Sequence, residues 1–370
     1  MRIGFDAKRA FFNNSGLGNY SRNTINMLAK IYPNEEYFLY SPKFPEEIPE
    51  FARNKTIIGP NSNSNIRNSI WRSVLSGNRI KKDKLDIYHG LSNELPINLN
   101  RKQIPSVVTI HDLIFLRYPE LFNTTDVKIY TYKFKHACKS ADKIIAVSKQ
   151  TKADIIRYFN IPQAKIHVIY QDCNKIFHEK PNREICSEVL KKYKLPNNYI
   201  LNVGTIEKRK NAMLILKAMA LYNIDIPLVI VGKPTPYLNT LISYAHHYKL
   251  KDKLVLLYDV KDEDLPTIYH KASVFVYPSL FEGFGIPILE ALNSGVPVIT
   301  SNLSSLPEVA GTNSILIDPV AHDHLGKELF NLLNNNTKKQ EMIEAGYKHA
   351  LKFRPEVLAP QLMQLYKSIV

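Results

Sequence analysis

Cysteine is scarce in this sequence. Cys138, Cys173 and Cys186 are the only three among 370 residues, and tryptophan occurs once. The count is odd and no pair has metal-ligand or redox spacing. This argues against a disulfide scaffold and for a reducing cytosol. No apolar run reaches the 18 residues of a membrane-spanning helix. The first residues lack a signal-peptide core and open instead as a strand ending in an acid, Asp6. Low-complexity stretches are missing too. A chain that is 45% hydrophobic and 22% charged is not a disordered one. Its length suggests two domains.

Positive charge is abundant: the net charge is +15. Residues 1–180 carry 28 Lys and Arg against 16 Asp and Glu, a net of +12, and the remainder is nearly balanced. Such a half attracts anions: nucleic acid, anionic lipid or a phosphorylated substrate. A nucleic-acid binder would show a continuous basic stripe with interleaved aromatics. The basic residues here are scattered, so nucleic acid is not expected as a partner.

Short apolar, β-branched runs recur between helical patterns. They fall near Arg2–Asp6, Glu36–Tyr40, Lys55–Ile58, Leu85–Tyr88, Ser106–Ile110, Lys143–Val147 and Ile166–Ile169. The second half repeats this with Tyr199–Val203, Pro227–Val231, Lys253–Tyr258, Ser273–Tyr277, Val296–Thr300 and Ser314–Ile317. Continuous rather than alternating runs mark parallel sheets covered on both faces. The expected fold is α/β, with two Rossmann-like, doubly wound domains facing across a cleft. Domain limits are set at 1–178 and 179–354, within a polar boundary that carries Pro181 and Pro196. A last helix over 355–370 has apolar residues at Val357, Leu358, Leu362, Leu365 and Tyr366. In the Val127–Ala141 helix, Val127, Tyr130, Phe134, Ala137, Cys138 and Ala141 form one stripe. The polar Asn61–Asn65 stretch reads as a loop. Ser148, after a strand, reads as a helix N-cap.

Ligands of open α/β sheets bind at the carboxyl ends of strands, and four motifs sit there. After Ser273–Tyr277 comes Pro278-Ser279-Leu280-Phe281-Glu282-Gly283-Phe284-Gly285-Ile286-Pro287-Ile288-Leu289-Glu290. Its glycines permit close backbone approach, Pro287 suits a first helical turn, and Gly295 suits a helix stop. A strand, a glycine loop and a helix N-terminus make an anion site, and two glutamates there suit sugar and ribose hydroxyls. The second motif is Gly204-Thr205-Ile206-Glu207-Lys208-Arg209-Lys210-Asn211. Cations at a helix start are electrostatically disfavoured, so a cation pair there points to function. The third is Asn14-Ser15-Gly16-Leu17-Gly18-Asn19-Tyr20, which lacks the full dinucleotide fingerprint. In the fourth, His111 and Asp112 follow the strand Ser106–Ile110, and His89 follows Leu85–Tyr88 in the same way. His322 and His324, two residues apart, do not converge on a helix face, and no metal site is expected.

Two glutamates separated by seven residues around Gly-Phe-Gly resemble the signature of the family-4 retaining glycosyltransferases of GT-B fold. The segment 301–311 resembles that family as well. The resemblance implies a catalytic group of His111, Glu282, Arg209 and Lys210, with Arg209 and Lys210 on the donor diphosphate. It implies donor contacts from Gly16, Gly18, Gly204, Thr205, Gly283, Phe284, Gly285, Ile286 and Glu290, the last on the ribose. Tyr20, His89 and Asp112 fall on the acceptor side. Thr205 departs from the pattern, because many members carry arginine there. The implied activity is metal-independent transfer of a mannose-type or glucose-type hexose, with retention. The donor is a nucleoside diphosphate sugar and no cofactor is required. The acceptor is a saccharide or lipid-linked saccharide in surface polysaccharide or lipopolysaccharide synthesis. The implied place is the cytoplasm, with peripheral contact on the anionic inner face of the membrane. A GT-B nucleotide-sugar epimerase and a basic nucleic-acid-binding protein are the competing readings. The terminal helix is expected to cross back to the N-terminal domain.

Overall fold

The computed structural model describes residues 1–60, 64, 68, 71–72, 76–99 and 103–370. The expected loop at 61–65 lies outside the described residues except for Ser64. The chain divides into two compact units, Met1–Asp172 with Phe353–Val370, and Cys173–Lys352.

The first unit holds a seven-stranded parallel sheet. Its strands are β1 (Arg2–Asp6), β2 (Glu36–Tyr40), β3 (Thr56–Ile58), β4 (Ile87–Gly90), β5 (Ser106–Ile110), β6 (Lys143–Ala146) and β7 (Ile166–Val168). They run in the order β3-β2-β1-β4-β5-β6-β7, with every pairing parallel. The second unit has β8 (Ile200–Val203), β9 (Leu228–Val231), β10 (Leu254–Leu257), β11 (Val274–Tyr277), β12 (Val298–Ser301) and β13 (Ile315–Ile317). Their order is β10-β9-β8-β11-β12-β13, again parallel throughout. All four residues of β11 are fully buried, as expected of a central strand covered on both faces.

Local sequence accounts for many of the helix limits. Ser148 caps the helix Lys149–Phe159, its Oγ accepting from the Thr151 amide at 3.0 Å. The helix Ile286–Asn293 has Pro287 in its first turn and is followed by Gly295 at φ +70°. The helix Thr124–Ser140 buries Phe134, Ala137 and Cys138, whereas Tyr130 stays 36% exposed. Tyr130 lies at the edge of that stripe, packing on Phe115 and Phe134 with ring centroids 5.7 and 6.0 Å away.

The division falls between Asp172 and Cys173 rather than at 178. The segment after it is already tied into the second unit. Asn293 Nδ2 approaches Cys173 Sγ at 3.4 Å, and the Phe177 ring packs edge-on against Tyr269. The last helix, Pro355–Lys367, belongs with the first unit. It buries Leu358, Leu362, Leu365 and Tyr366 and packs on the helix Gly16–Ile31.

Each sheet reverses its strand order once, between β1 and β4 in the first unit and between β8 and β11 in the second. Crevices for ligands form outside the carboxyl ends of strands at such points. In the second unit, the segments leaving β8 and β11 carry the Arg209–Lys210 and Glu282 motifs.

Candidate active site

The second unit gathers its charged residues at that reversal. Glu282 Oε1 accepts from Lys210 Nζ at 2.7 Å, Ser279 Oγ at 2.8 Å and Tyr277 Oη at 3.0 Å, and it pairs with Arg209 Nη1 at 2.8 Å. None of these bonds uses Oε2. Arg209 also donates to the Phe281 carbonyl at 2.7 Å and pairs with Glu207. Lys210 reaches Tyr277 Oη at 2.5 Å.

The Glu282 main chain is held as firmly. Its amide donates to Ser304 Oγ at 3.0 Å, and its carbonyl accepts from the Ser304 and Ser305 hydroxyls. Burial opposes the Glu282 charge, but the Lys210 and Arg209 cations outweigh it and hold the carboxyl at about 2. Burial lowers the Lys210 ammonium, and Glu282 resists that change. Burial likewise works against the Arg209 charge, yet the Glu282 and Glu207 carboxylates raise its pKa overall.

The surrounding loops are set by backbone needs. Gly285 stands at φ +116° as the residue before the helix Ile286–Asn293, a conformation a side chain would strain. Phe284 is buried and its carbonyl accepts from Ser305 Oγ at 2.6 Å. Gly283 and Ile286 are half-buried on either side of this turn. The Gly204 amide donates to the Val231 carbonyl at 2.8 Å, and Thr205 beside it is exposed. Glu290 accepts from Tyr269 Oη at 2.8 Å. Burial pushes its carboxyl up to about 7; the Tyr269 bond opposes the shift and the Asp262 charge adds to it.

The first unit places its residues differently. Gly16 and Gly18 lie in the first turn of the helix Gly16–Ile31 rather than in a loop. Asn13 Oδ1 caps that turn, accepting from the Ser15 amide at 2.9 Å and the Gly18 amide at 3.2 Å. A Cβ on Gly18 would stand 1.7 Å from the Asn13 carbonyl oxygen, so only glycine closes this turn. His111 is not at a rim but buried, its Nε2 donating to the Leu91 carbonyl at 2.9 Å. Burial lowers it to about 4; the Leu91 bond acts against that shift and the Arg9 charge adds to it. The ring is therefore neutral, with Nδ1 the unprotonated nitrogen.

Two acceptor-side residues, His89 and Tyr20, are buried instead of facing a cleft. His89 is fully buried, hydrogen-bonded through Nδ1 to Tyr366 Oη at 2.6 Å and through Nε2 to Thr109 Oγ1 at 2.8 Å. Burial, with His111 nearby, lowers it to about 3. It pins the terminal helix and lines no surface, because it points into the interior from a strand with helices over its face. Tyr20 is also buried. It bonds Thr109 Oγ1 at 3.0 Å and meets the His111 ring edge-on at 4.6 Å, so it supports His111 instead of presenting a free hydroxyl. Asp112 Oδ1 accepts from the Ile114 amide at 3.1 Å, which starts the next short helix.

Comparison with known proteins decides the family. The description "Glycosyl transferases group 1" matches residues 187–349, and "Glycosyltransferase Family 4" matches residues 14–171. O-antigen chain mannosyltransferase B of Escherichia coli is 30% identical over the full length of both chains. This chain belongs to the group 1, family 4 glycosyltransferases. O-antigen chain mannosyltransferase RfbU of Salmonella typhimurium is 32% identical over 57% of this chain and 56% of its own. Anabaena HepE, solved in complex with UDP, superposes with a TM-score of 0.77 at 16% identity and covers 100% of both chains. WaaG, a glycosyltransferase involved in lipopolysaccharide biosynthesis, superposes with a TM-score of 0.71 at 16% identity, over 100% of this chain and 99% of its own. The fold is GT-B.

Within this family frame, sequence reasoning passed over several residues of the cluster. Tyr277, Ser279, Ser304 and Ser305 all touch Glu282. Tyr277 and Ser279 flank a strand end, which was the available signal. Ser304 and Ser305 stand in the family-like 301–311 segment, but nothing in it says they reach back to Glu282. Asp6, the acid at the end of β1, pairs with Arg72 at 2.5 Å, and Arg72 pairs with Glu94 at 2.8 Å.

Proposed function

We propose that this glycosyltransferase moves a hexosyl group, with retention and without a metal ion, from a nucleoside diphosphate sugar to a hydroxyl of a saccharide or lipid-linked saccharide. The sugar is of mannose or glucose type, with mannose favoured because both relatives described are O-antigen mannosyltransferases. The setting is surface polysaccharide synthesis, in the cytoplasm or on the inner face of the membrane. The observation that carries this reading is the Lys210–Glu282–Arg209 cluster at the strand-order reversal of the second sheet.

Two cations held by carboxylates are poised for an anionic ligand. An incoming diphosphate supplies negative charge that favours the buried Lys210 ammonium, and charge growing on the leaving phosphate meets fixed donors. Glu282 Oε2 is the oxygen available to a sugar hydroxyl. Glu290 accepts from the ribose diol. His111 is the first unit's candidate for a catalytic group, and it would act as a neutral imidazole. Glu282 is engaged with both cations, which argues against its acting as a nucleophile of the kind retaining glycosidases use.

The test is a thermal-shift screen of UDP, GDP and ADP sugars, because a ligand that binds the native state raises its midpoint. One nucleotide class should stabilise the wild type and lose most of that effect in Lys210→Ala. No shift with any of them would overturn the reading. Activity should survive EDTA; loss that magnesium or manganese restores would remove the metal-free part. The anomeric configuration of the product, read by NMR, tests retention.

A further inference from the structure

The segment that opens the second unit holds a side-chain cluster that transfer does not use. Just after Cys173 the chain turns back on itself. Asn174 Oδ1 accepts from the Ile176 amide at 3.2 Å and starts the short helix Lys175–His178. Phe177 is buried and packs edge-on against Tyr269, which fixes that turn. His178 Nε2 is thereby held 3.7 Å from Cys173 Sγ. Asn293, buried at the end of the helix Ile286–Asn293, donates to the same sulfur at 3.4 Å and to the Leu289 carbonyl at 2.9 Å. Asp172, the residue before Cys173, completes the group. One ligand atom from each of Asp172, Cys173 and His178 lies within 4.8 Å of the others, and no other such trio of His, Cys, Asp or Glu occurs among the described residues. All three belong to one continuous stretch, 172–178, so local chain geometry sets their convergence.

From this we infer that Asp172, Cys173 and His178 form a binding site for a zinc ion. Thiolate, imidazole and carboxylate are zinc donors, bound at about 2.3, 2.0 and 2.0–2.2 Å. Tetrahedral coordination at these lengths puts sulfur and nitrogen about 3.5 Å apart, close to the separation of Cys173 and His178. The Asp172 carboxylate closes on the ion by rotating about its side-chain torsions, and water takes the fourth position. As the S–Zn bond forms, the thiol S–H bond breaks and its proton leaves to solvent. Asn293 then donates its N–H to the bound thiolate and steadies it. Magnesium and calcium prefer oxygen ligands and do not suit this set. Adjacent ligands with a third five residues on match no common zinc spacing, so local sequence does not announce the site. Asn174 and Phe177 hold the turn without an ion, so zinc stabilises a conformation that already exists. The site shares no residue with the Glu282 cluster and adds no metal to the transfer reaction. Zinc binding and transfer are separate measurements, and either reading can fail alone.

The experiment titrates the chelator-treated full chain with zinc against a chromogenic chelator, and with cobalt(II) as a spectroscopic stand-in. A single equivalent of zinc should bind, and cobalt should give the intense sulfur-to-metal charge-transfer band of a thiolate ligand. Cys173→Ser should abolish that band and weaken zinc by more than ~100-fold, because even groups that only support a ligand are worth about 10–100-fold. His178→Gln, at a half-buried position, should weaken zinc comparably while leaving thermal unfolding of the metal-free chain nearly unchanged. Zinc should raise the melting temperature of wild type but not of His178→Gln. Cys186→Ala removes another buried cysteine of the second unit and should keep both the zinc affinity and the cobalt band. Should Cys173→Ser fail to fold, His178→Gln decides. The inference is overturned if wild type binds no zinc, if the cobalt band survives Cys173→Ser, if His178→Gln binds zinc as wild type does, or if Cys186→Ala loses as much as Cys173→Ser.

Discussion

The Glu282 cluster of the second unit and the His89 network of the first solve opposite electrostatic problems on similar sheets. In the second unit, Lys210, Arg209 and Glu282 stay ionised because each charge compensates another. In the first, His89, Thr109, Tyr20 and Tyr366 form a neutral chain, with His111 packed beside it and burial keeping both imidazoles uncharged. The comparison teaches that topology supplies the place for a site while side-chain chemistry sets its charge. A charged cluster can meet a diphosphate. A neutral network holds elements in register, here a terminal helix against β4.

The largest effect should come from breaking the charged cluster. Lys210→Ala leaves Glu282 with one cation fewer in a buried setting, which costs ~3–5 kcal/mol of stability. Denaturant unfolding should show that loss. Adding Glu282→Gln to Lys210→Ala should recover part of it, because the uncompensated charge is then gone. A double variant no more stable than Lys210→Ala would mean that the cluster is not electrostatically coupled.

Next comes a test of sign. Folding raises the Glu290 carboxyl from 4.5 to about 7, so the native state holds this proton more tightly than the unfolded chain. Glu290 therefore costs nothing at low pH, and stability falls by ~3 kcal/mol as pH rises through that window. Glu290→Gln should match wild type below about pH 5 and exceed it in melting temperature above about pH 8. Glu282 behaves in the opposite sense. Depressed to about 2, it stabilises the fold at neutral pH and loses that contribution as pH falls from 4.5 towards 2. If ribose hydroxyls donate to Glu290, nucleotide affinity should rise with pH in wild type and lose that dependence in Glu290→Gln.

The neutral network should give a smaller, pH-independent loss. Tyr366→Phe leaves His89 Nδ1 unpaired at ~1–3 kcal/mol. Because His89 titrates only near 3, the loss should be the same at mildly acidic and mildly alkaline pH. A loss that varied across that range would contradict the neutral assignment. The smallest change expected is Thr205→Arg. It adds a cation at an exposed position near the cluster and should tighten nucleotide binding by ~1 kcal/mol, about fivefold, in isothermal titration.

Much of the fold was legible from local pattern. Runs such as Ser106–Ile110 and Glu36–Tyr40 were placed to the residue, because a buried parallel strand needs unbroken apolar sequence. Others shifted where a turn intervened: Leu85–Tyr88 became Ile87–Gly90, and Val296–Thr300 became Val298–Ser301. The candidate site was legible as motifs at strand ends, but not as a set of contacts. Glu282 and its cations are about 70 residues apart in the chain, and nothing local states that they meet.

The sequence by itself determined the alternation of strands and helices, the glycine turn before Ile286, the Ser148 cap and the family-like motifs. Each depends on backbone preferences acting over a few residues. Only the tertiary structure decided that His89 is a buried partner of Tyr366, 277 positions away, and that Gly16 and Gly18 open a helix closed by Asn13. It alone decided that Glu282 is locked by Ser304, Ser305 and two cations. Burial and charge compensation depend on which distant surfaces the packed chain brings together, and a local pattern carries no record of that.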